Sequence, residues 1–118
     1  MPLVNAAPQT LASLHDDDLV VLARRGDRAA RNRLLSRYGS IVRRLARSHF
    51  RVGGDREEVL AHGLEGLQQS IQLYDPRSGR TFRAFAERCV RGRIRRSLQR
   101  AQRRSGWAAG LDDLPEAV

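Results

Sequence analysis

The sequence predicts an all-α domain, a compact bundle of about four helices, and three observations carry this prediction. Apolar residues recur at the three- and four-residue spacing of an amphipathic helix in successive segments. Residues that typically begin or end helices lie between those segments. No alternating apolar and polar run of the kind that predicts a strand competes with them. A chain of 118 residues is long enough for one domain with a small core.

The first two helices are defined by the residues that flank them. Residues 16–18 are three aspartates, which favour a helix start, and Gly26 is suited to end that helix. Asp27 is the predicted cap of the second helix. Its apolar stripe runs over residues 30–50, and the two glycines at 53–54 are predicted to break it.

The third and fourth helices have similar boundary signals. Asp55, with Glu58 three residues later, resembles a capping box, so a helix is predicted to begin there. It is expected to end before a loop over residues 74–79, and Thr81 is the predicted cap of the fourth helix. Gly92 lies inside that last helix, at a cost of about 1 kcal/mol relative to alanine.

Charge is concentrated in residues 77–104, which contain eleven arginines and one acid, Glu87. Apolar residues at helical spacing run through this segment, so one rigid helix would present a dense row of guanidinium groups to solvent. Such a row repels itself unless a polyanion neutralises it, and nucleic-acid phosphate is the commonest polyanion that fits. The net charge of +9 agrees. All 22 basic residues are arginine, which suits phosphate contact, although a GC-rich genome explains most of this bias.

Other functional classes find little support. Cys89 is the single cysteine, so no internal disulfide can form, and the histidines are too far apart for metal-site spacing. We see no phosphate-cradling glycine loop and no nucleophile–base pair, so we expect neither an enzyme nor a cofactor, and no metal. No apolar run reaches the length of a membrane span, and residues 1–14 lack the pattern of a secretory signal. A cytoplasmic location without membrane contact is therefore expected.

The order and spacing of these signals resemble region 2 of the bacterial sigma-70 family of RNA polymerase sigma factors. Residues 16–50 are similar to that family's acidic start, Gly-Asp turn and Arg-Tyr helix. Residues 53–94 are more similar still, to the stationary-phase and sporulation branch, through the stretches GGDREE, GLEGL and FRAFAERCV. The resemblance covers residues 16–104. Residues 1–15 are then a flexible tail, and residues 105–118 a tail or the start of a linker.

The resemblance implies that the third helix docks on core RNA polymerase, at the coiled coil of the clamp in the largest subunit. The residues that it assigns to this contact are Glu57, Glu58, Leu60, Ala61, His62, Leu64 and Glu65. The family's Gln-Glu pair before the helix glycine is Ala61-His62 here. Since those polar residues help to grip the clamp, this difference bears on polymerase binding.

The resemblance also implies that the fourth helix reads and opens the promoter −10 element on the non-template strand of the DNA. Phe85 matches the aromatic residue that stacks on the flipped adenine, and Phe82 matches an aromatic residue that supports the same pocket. Their i,i+3 spacing is also that of two core residues, and for Phe85 both interpretations stay open. Opened single strands are held by aromatic stacking together with a positive groove, and this helix offers both.

The polar residues of the same helix complete the implied DNA contact. Those expected to hold phosphates are Arg80, Arg91 and Arg96, and those expected to read base edges are Arg95 and Gln99. The tryptophan pair of housekeeping factors is Arg88-Cys89 here, which weakens the expectation of unaided promoter melting. The predicted DNA-binding set is Arg80, Arg83, Phe85, Arg88, Arg91, Arg95, Arg96 and Gln99.

Two other functions stay open. One is a sigma-like regulatory protein that binds the clamp or a partner subunit without opening promoters itself. The other is a basic DNA-binding protein that reads no sequence and does not bind polymerase. The helix-turn-helix domain that reads the −35 element does not follow here, so the chain is either a fragment or acts without it. A separate −35-reading subunit or an anti-sigma protein is therefore a further candidate partner. Trp107 is predicted to fold back on the core rather than to contact a partner.

Overall fold

The structure, a computed structural model, describes Leu11, residues 13–49 and residues 56–104. Of Arg104 it describes the backbone alone. These residues are all-α, as predicted, and no strand occurs among them. The helices are α1 (Asp16–Arg24), α2 (Arg28–Arg47), α3 (Arg56–Leu73) and α4 (Phe82–Arg104), with a 3₁₀ turn at Pro76–Ser78. The predictions for Phe50, the glycines at 53–54, the Asp55 cap, Trp107 and most of both tails lie outside the described residues.

The turn between α1 and α2 follows the sequence prediction. α1 opens with the three aspartates in its first turn. Gly26 has a φ of +100°, a conformation that residues with a Cβ rarely adopt, so the chain leaves the helix there. Asp27 then caps α2, because its Oδ1 accepts a hydrogen bond from the amide of Ala30 at 3.1 Å. Both predicted boundary residues are confirmed.

The end of α2 differs from the prediction. The apolar stripe was expected to continue to Phe50, but the helix ends at Arg47, with Ser48 as its C-cap. The hydroxyl of Ser48 donates to the carbonyl of Leu45 at 2.8 Å, and Nδ1 of His49 bonds the same oxygen at 2.8 Å. These side chains satisfy a terminal carbonyl that has no further helical partner, so two polar residues end the helix before the glycines are reached.

The connection from α3 to α4 contains two local caps. The side chain of Asp75 accepts a hydrogen bond from the amide of Arg77 at 2.9 Å and opens the 3₁₀ turn. Thr81 caps α4 through its Oγ1, which accepts from the amide of Ala84 at 3.1 Å, as predicted. Tyr74 lies beneath this loop, and its hydroxyl donates to the carbonyl of Arg80 at 2.6 Å. The loop that precedes α4 is thus fixed at both ends.

The apolar core lies among all four helices, and Phe82 is the largest of its fully buried side chains. α3 and α4 pack with almost no space between their backbones at Gly66. A Cβ on Gly66 would lie 2.9 Å from the carbonyl oxygen of Cys89 and 2.9 Å from the Cα of Val90. Leu11 is only 2% exposed and joins this core, a contact that the sequence pattern did not indicate. The limits of the tails stay predictions.

Two residues of α1, Arg24 and Asp16, make polar contacts that hold this helix against the rest of the bundle. The guanidinium of Arg24 donates to the carbonyl of Ile71 at 2.8 Å and to the carbonyl of Tyr74, at the end of α3. Asp16 accepts from Arg37 at 2.7 Å and from the hydroxyl of Tyr38. Burial, and then this hydrogen bond to Asp16, raise the pKa of Tyr38 well above its ordinary value, so the phenol stays a donor.

Candidate nucleic-acid interface

α4 is one unbroken helix of 23 residues, about 35 Å long at 1.5 Å per residue. Its apolar side is in the core, where Ala86, Val90, Ile94 and Leu98 are all 2% exposed or less. Seven of the predicted DNA-binding residues, all except Phe85, are exposed on α4 and the loop before it: Arg80, Arg83, Arg88, Arg91, Arg95, Arg96 and Gln99. As expected from the sequence, α4 is a continuous helix that presents guanidinium groups to solvent.

Among the arginines of α4 whose side chains the structure describes, Arg93 is the exception, since it is half-buried and faces α3. Its guanidinium donates to Oε1 of Glu65, and His62 contacts the same oxygen at 3.1 Å. The hydrogen bond from Arg93 is the main reason that the pKa of Glu65 is lowered, and the charges of Arg93 and His62 add to it. The sequence pattern suggested a solvent-facing arginine here, whereas Arg93 joins two helices.

The two phenylalanines of α4 have different environments. Phe82 is 1% exposed and makes edge-on contacts with Tyr38 and Tyr74, at ring-centroid distances of 5.5 and 5.4 Å. It is a core residue. Phe85 is only half-buried, and its ring lies 5.9 Å from that of Tyr74 at an angle of 41°. Tyr74 therefore supports Phe85 from one side, and part of the Phe85 ring is left accessible to a partner.

A cluster of opposite charges joins α2 to α4 around Glu87, the acid of the arginine-rich segment. The Glu87 carboxylate lies 3.5 Å from Arg83 and 3.6 Å from Arg91, one turn away on either side of it on α4. Arg44, from α2, approaches the same carboxylate at 3.7 Å. Arg44 is absent from the predicted set, because no local pattern distinguishes it from the other arginines of α2.

The predicted clamp-binding residues occupy the first half of α3. Five are exposed, namely Glu57, Glu58, Ala61, Leu64 and Glu65, and two are half-buried, Leu60 and His62. Leu64 is an exposed large apolar residue, with 42% of its surface accessible. No arginine follows Arg56 in α3, so this surface is acidic, in contrast to α4.

An open cavity of about 440 Å³ lies between the start of α1 and the loop before α4. It brings carboxylates, a guanidinium and aromatic rings together at the surface. The pKa of Tyr74, in its wall, is raised by burial first and by the neighbouring Asp17 second. The lining residues are His15, Asp16, Asp17, Tyr74, Pro76, Gly79, Arg80, Thr81 and Phe82.

The described residues show neither a cluster of metal ligands nor a helix suited to span a membrane. In the described ranges, no three His, Cys, Asp or Glu side chains converge in a way that suits a metal ion. Across those same residues, none of the helices combines the length and apolar character needed to cross a bilayer. Cys89 is half-buried beside Gly66, and burial raises the pKa of its thiol.

Comparison with known proteins gives a consistent assignment. Residues 34–104 match the family described as Sigma-70 region 2. The RNA polymerase sigma-H factors of Bacillus licheniformis and Bacillus subtilis are each 33% identical over 95 residues, 80% of this chain and 43–44% of theirs. The sigma-E factor of Clostridium acetobutylicum is 28% identical over 96 residues, 81% of this chain and 41% of its own. This chain thus spans less than half the length of these relatives, and no solved structure gives a significant match.

Proposed function

Since the chain belongs to the sigma-70 family, through its region 2, we propose that it acts in transcription initiation by joining core RNA polymerase to the promoter −10 element. The resemblance inferred from the sequence is confirmed at this level, and the sigma-H relatives agree with the stationary-phase and sporulation branch. In this proposal α4 binds the non-template strand of the DNA and α3 binds the polymerase clamp.

The observation that carries the proposal is the exposed arginine surface of α4. A long helix held along one side by the core keeps the guanidinium groups at fixed spacing, which favours a ligand with regularly spaced negative charges. Arg80, Arg91 and Arg96 would hold phosphates, whereas Arg95 and Gln99 would meet base edges. Arg83 and Arg88 add positive charge beside them.

Phe85 supports recognition of a separated strand rather than of a duplex. A base can stack on an aromatic face only after it has left its own base stack, so an accessible ring next to cationic residues suits single-stranded DNA. Tyr74 packs against Phe85 from the other side and would keep the ring from retreating when a base arrives. The accessible part of Phe85 would then receive the flipped adenine of the −10 element.

The exposed side of α3 supports the second half of the proposal. Leu64 offers an apolar centre, and the acids Glu57 and Glu58 lie one to two turns before it on the same helix. An apolar centre with a polar rim is the usual arrangement of a specific protein contact. Leu60, Ala61, His62 and Glu65 would complete this contact with the clamp.

The first test is co-purification of the chain with core RNA polymerase. We expect Leu64→Arg to abolish co-purification, because it places a bulky charge in the centre of the contact. Leu73→Arg is the matched control, since Leu73 is also an exposed leucine of α3. It lies nine residues further along, which places it on the opposite side of the helix. Equal loss in both variants would show that the clamp contact is not centred on Leu64.

The second test is binding of the same complex to fluorescent −10 probes, single-stranded and duplex. Phe85→Leu keeps an apolar side chain against the core but removes the aromatic face. Because stacking contributes about 1–3 kcal/mol per base, we expect single-strand affinity to fall at least about fivefold with duplex affinity unchanged. Equal loss on both probes would contradict stacking.

The two tests together separate the alternatives. Co-purification without any melting of the −10 probe would favour an interaction protein that occupies the clamp. DNA binding that is salt-sensitive and blind to sequence, without co-purification, would favour a general basic DNA-binding protein. Either result would contradict the proposed function.

A further inference from the structure

We propose that Arg44, Arg83 and Arg91 form a phosphate-binding site between α2 and α4, in which Glu87 is the resident counter-ion of the free protein. The ligand is a phosphodiester of the bound nucleic acid. The inference rests on the proposed DNA-binding function, and it adds α2 to a surface that had been assigned to α4 alone.

The three guanidiniums converge from two helices on one point. Arg83 and Arg91 lie four residues before and after Glu87, so the three side chains share one face of α4. Arg44 reaches the same carboxylate across the helix interface. Three guanidiniums around one carboxylate leave this point with a net positive charge. A phosphodiester, with its single negative charge, can therefore bind without making the site negative.

The contacts to Glu87 are loose compared with the structural ion pairs of this protein. Their nitrogen–oxygen distances of 3.5, 3.6 and 3.7 Å exceed those of ordinary hydrogen bonds, whereas Arg37 reaches Asp16 at 2.7 Å. Arginines held only by attraction at these distances can turn towards a second anion. A phosphate, which accepts paired hydrogen bonds from a guanidinium, is a stronger partner than a carboxylate shared by three arginines.

The solvent exposure of the three arginines also favours the replacement of Glu87 by a phosphate as their partner. The side chains of Arg44, Arg83 and Arg91 are 55%, 61% and 50% exposed, and that of Glu87 is 21% exposed. The cations therefore face solvent while their counter-ion is recessed between the helices. A phosphate that approaches from solvent meets the guanidiniums first and the carboxylate only behind them.

The phosphate site and the ring of Phe85 lie on different sides of α4. Glu87 faces α2, through Arg44, whereas Phe85 faces the loop before α4, through Tyr74. A nucleic-acid strand whose base stacks on Phe85 would therefore have to cross α4 to place one of its own phosphates against Arg44. The site widens the cationic surface from one helix to two.

The experiment measures binding of the full chain to a fluorescein-labelled oligonucleotide of unrelated sequence, over a range of salt concentrations. Arg44→Gln should lower the salt slope by about 0.7 for one lost single-strand phosphate contact, which is about a fivefold loss of affinity at 0.1 M salt. Arg28→Gln is the matched control, because it removes the same charge from an exposed position at the other end of α2, about 24 Å away. The control should change affinity less than twofold.

Glu87→Gln gives the second, opposite expectation. Loss of the resident counter-ion frees the three arginines, so affinity for the same oligonucleotide should rise severalfold. If Glu87 instead positions the arginines for DNA, affinity should fall, and the inference would be wrong. Circular dichroism of each variant reports retention of the helical fold.

The outcomes distinguish this site from the function on which it rests. Salt-dependent binding by the unaltered chain, with Arg44→Gln indistinguishable from Arg28→Gln, would overturn the site and leave the proposed function intact. Absence of any salt-dependent DNA binding by the unaltered chain would overturn both. A selective loss in Arg44→Gln together with a gain in Glu87→Gln supports the site.

Discussion

Substitution of Gly66 by alanine tests whether close contact between α3 and α4 determines the stability of the fold. The added methyl group would lie 2.9 Å from the carbonyl oxygen of Cys89, 2.9 Å from the Cα of Val90 and 3.1 Å from the Cγ of Arg93. The first two are backbone atoms, which cannot rotate away as a side chain does. The helices must therefore separate by several tenths of an ångström.

The magnitude follows from two opposing effects. Overpacking costs about 1–3 kcal/mol, and the rigid obstacles at Gly66 place this case near 3 kcal/mol. Alanine stabilises a helix interior by about 1 kcal/mol relative to glycine. The net loss in the free energy of unfolding is therefore about 2 kcal/mol, which corresponds to a fall in melting temperature of about 8–16 °C for a domain of this size.

Gly92→Ala is the control, since it makes the same chemical change inside α4. Its Cβ would meet only the tip of Arg96, at 3.4 Å, so the helix-propensity gain of about 1 kcal/mol should appear as higher stability. Both variants are measured by thermal and urea denaturation. A Gly66→Ala protein as stable as Gly92→Ala would refute the reasoning, because the backbone of α4 would then present no energetic obstacle to a methyl group on α3.

Two further predictions concern the polar contacts between helices. Arg24→Met removes the donors to the carbonyls of Ile71 and Tyr74 and should lower the free energy of unfolding by about 1–2 kcal/mol in urea denaturation, whereas an unchanged midpoint would show that water replaces the guanidinium. Arg93→Gln should raise the pKa of Glu65, measured by NMR titration, towards that of an ordinary glutamate. Because the folded-state pKa of Glu65 is lowered, the contribution of this pair to stability is present above the ordinary carboxyl range and is lost as pH falls through the lowered value. A titration curve that is identical in both proteins would contradict the pairing.

Local signals explain why most helix boundaries were predictable. The Asp27 and Thr81 caps and the Gly26 turn involve residues no more than three positions apart, so the sequence contains both partners of each contact. The end of α2 was mispredicted for a related reason. An apolar stripe suggested continuation, whereas the side chains of Ser48 and His49 ended the helix by bonding to a nearby carbonyl.

Most other contacts that the sequence did not predict join residues distant in the chain. Arg24 bonds carbonyls 47 and 50 residues away, and Arg93 bonds Glu65 across 28 residues. Gly66 looked like one of several glycines, because its role depends on the backbone of another helix. Arg44 likewise looks like any exposed arginine until α4 is placed beside it. Such roles follow from packing, which one sequence does not specify.

Composition does not distinguish two kinds of arginine in this chain. Arg24, Arg37 and Arg93 donate to oxygens of other segments and hold the bundle together. Of the exposed arginines of α4, Arg83 and Arg91 share the single carboxylate of Glu87, so positive charge on this helix exceeds the negative charge beside it. Since an excess of like charge destabilises a compact protein, an external anion would stabilise this surface, as the proposed function requires. Which guanidiniums the structure leaves exposed thus supports the proposed ligand, nucleic acid, beyond what the net charge of +9 indicates.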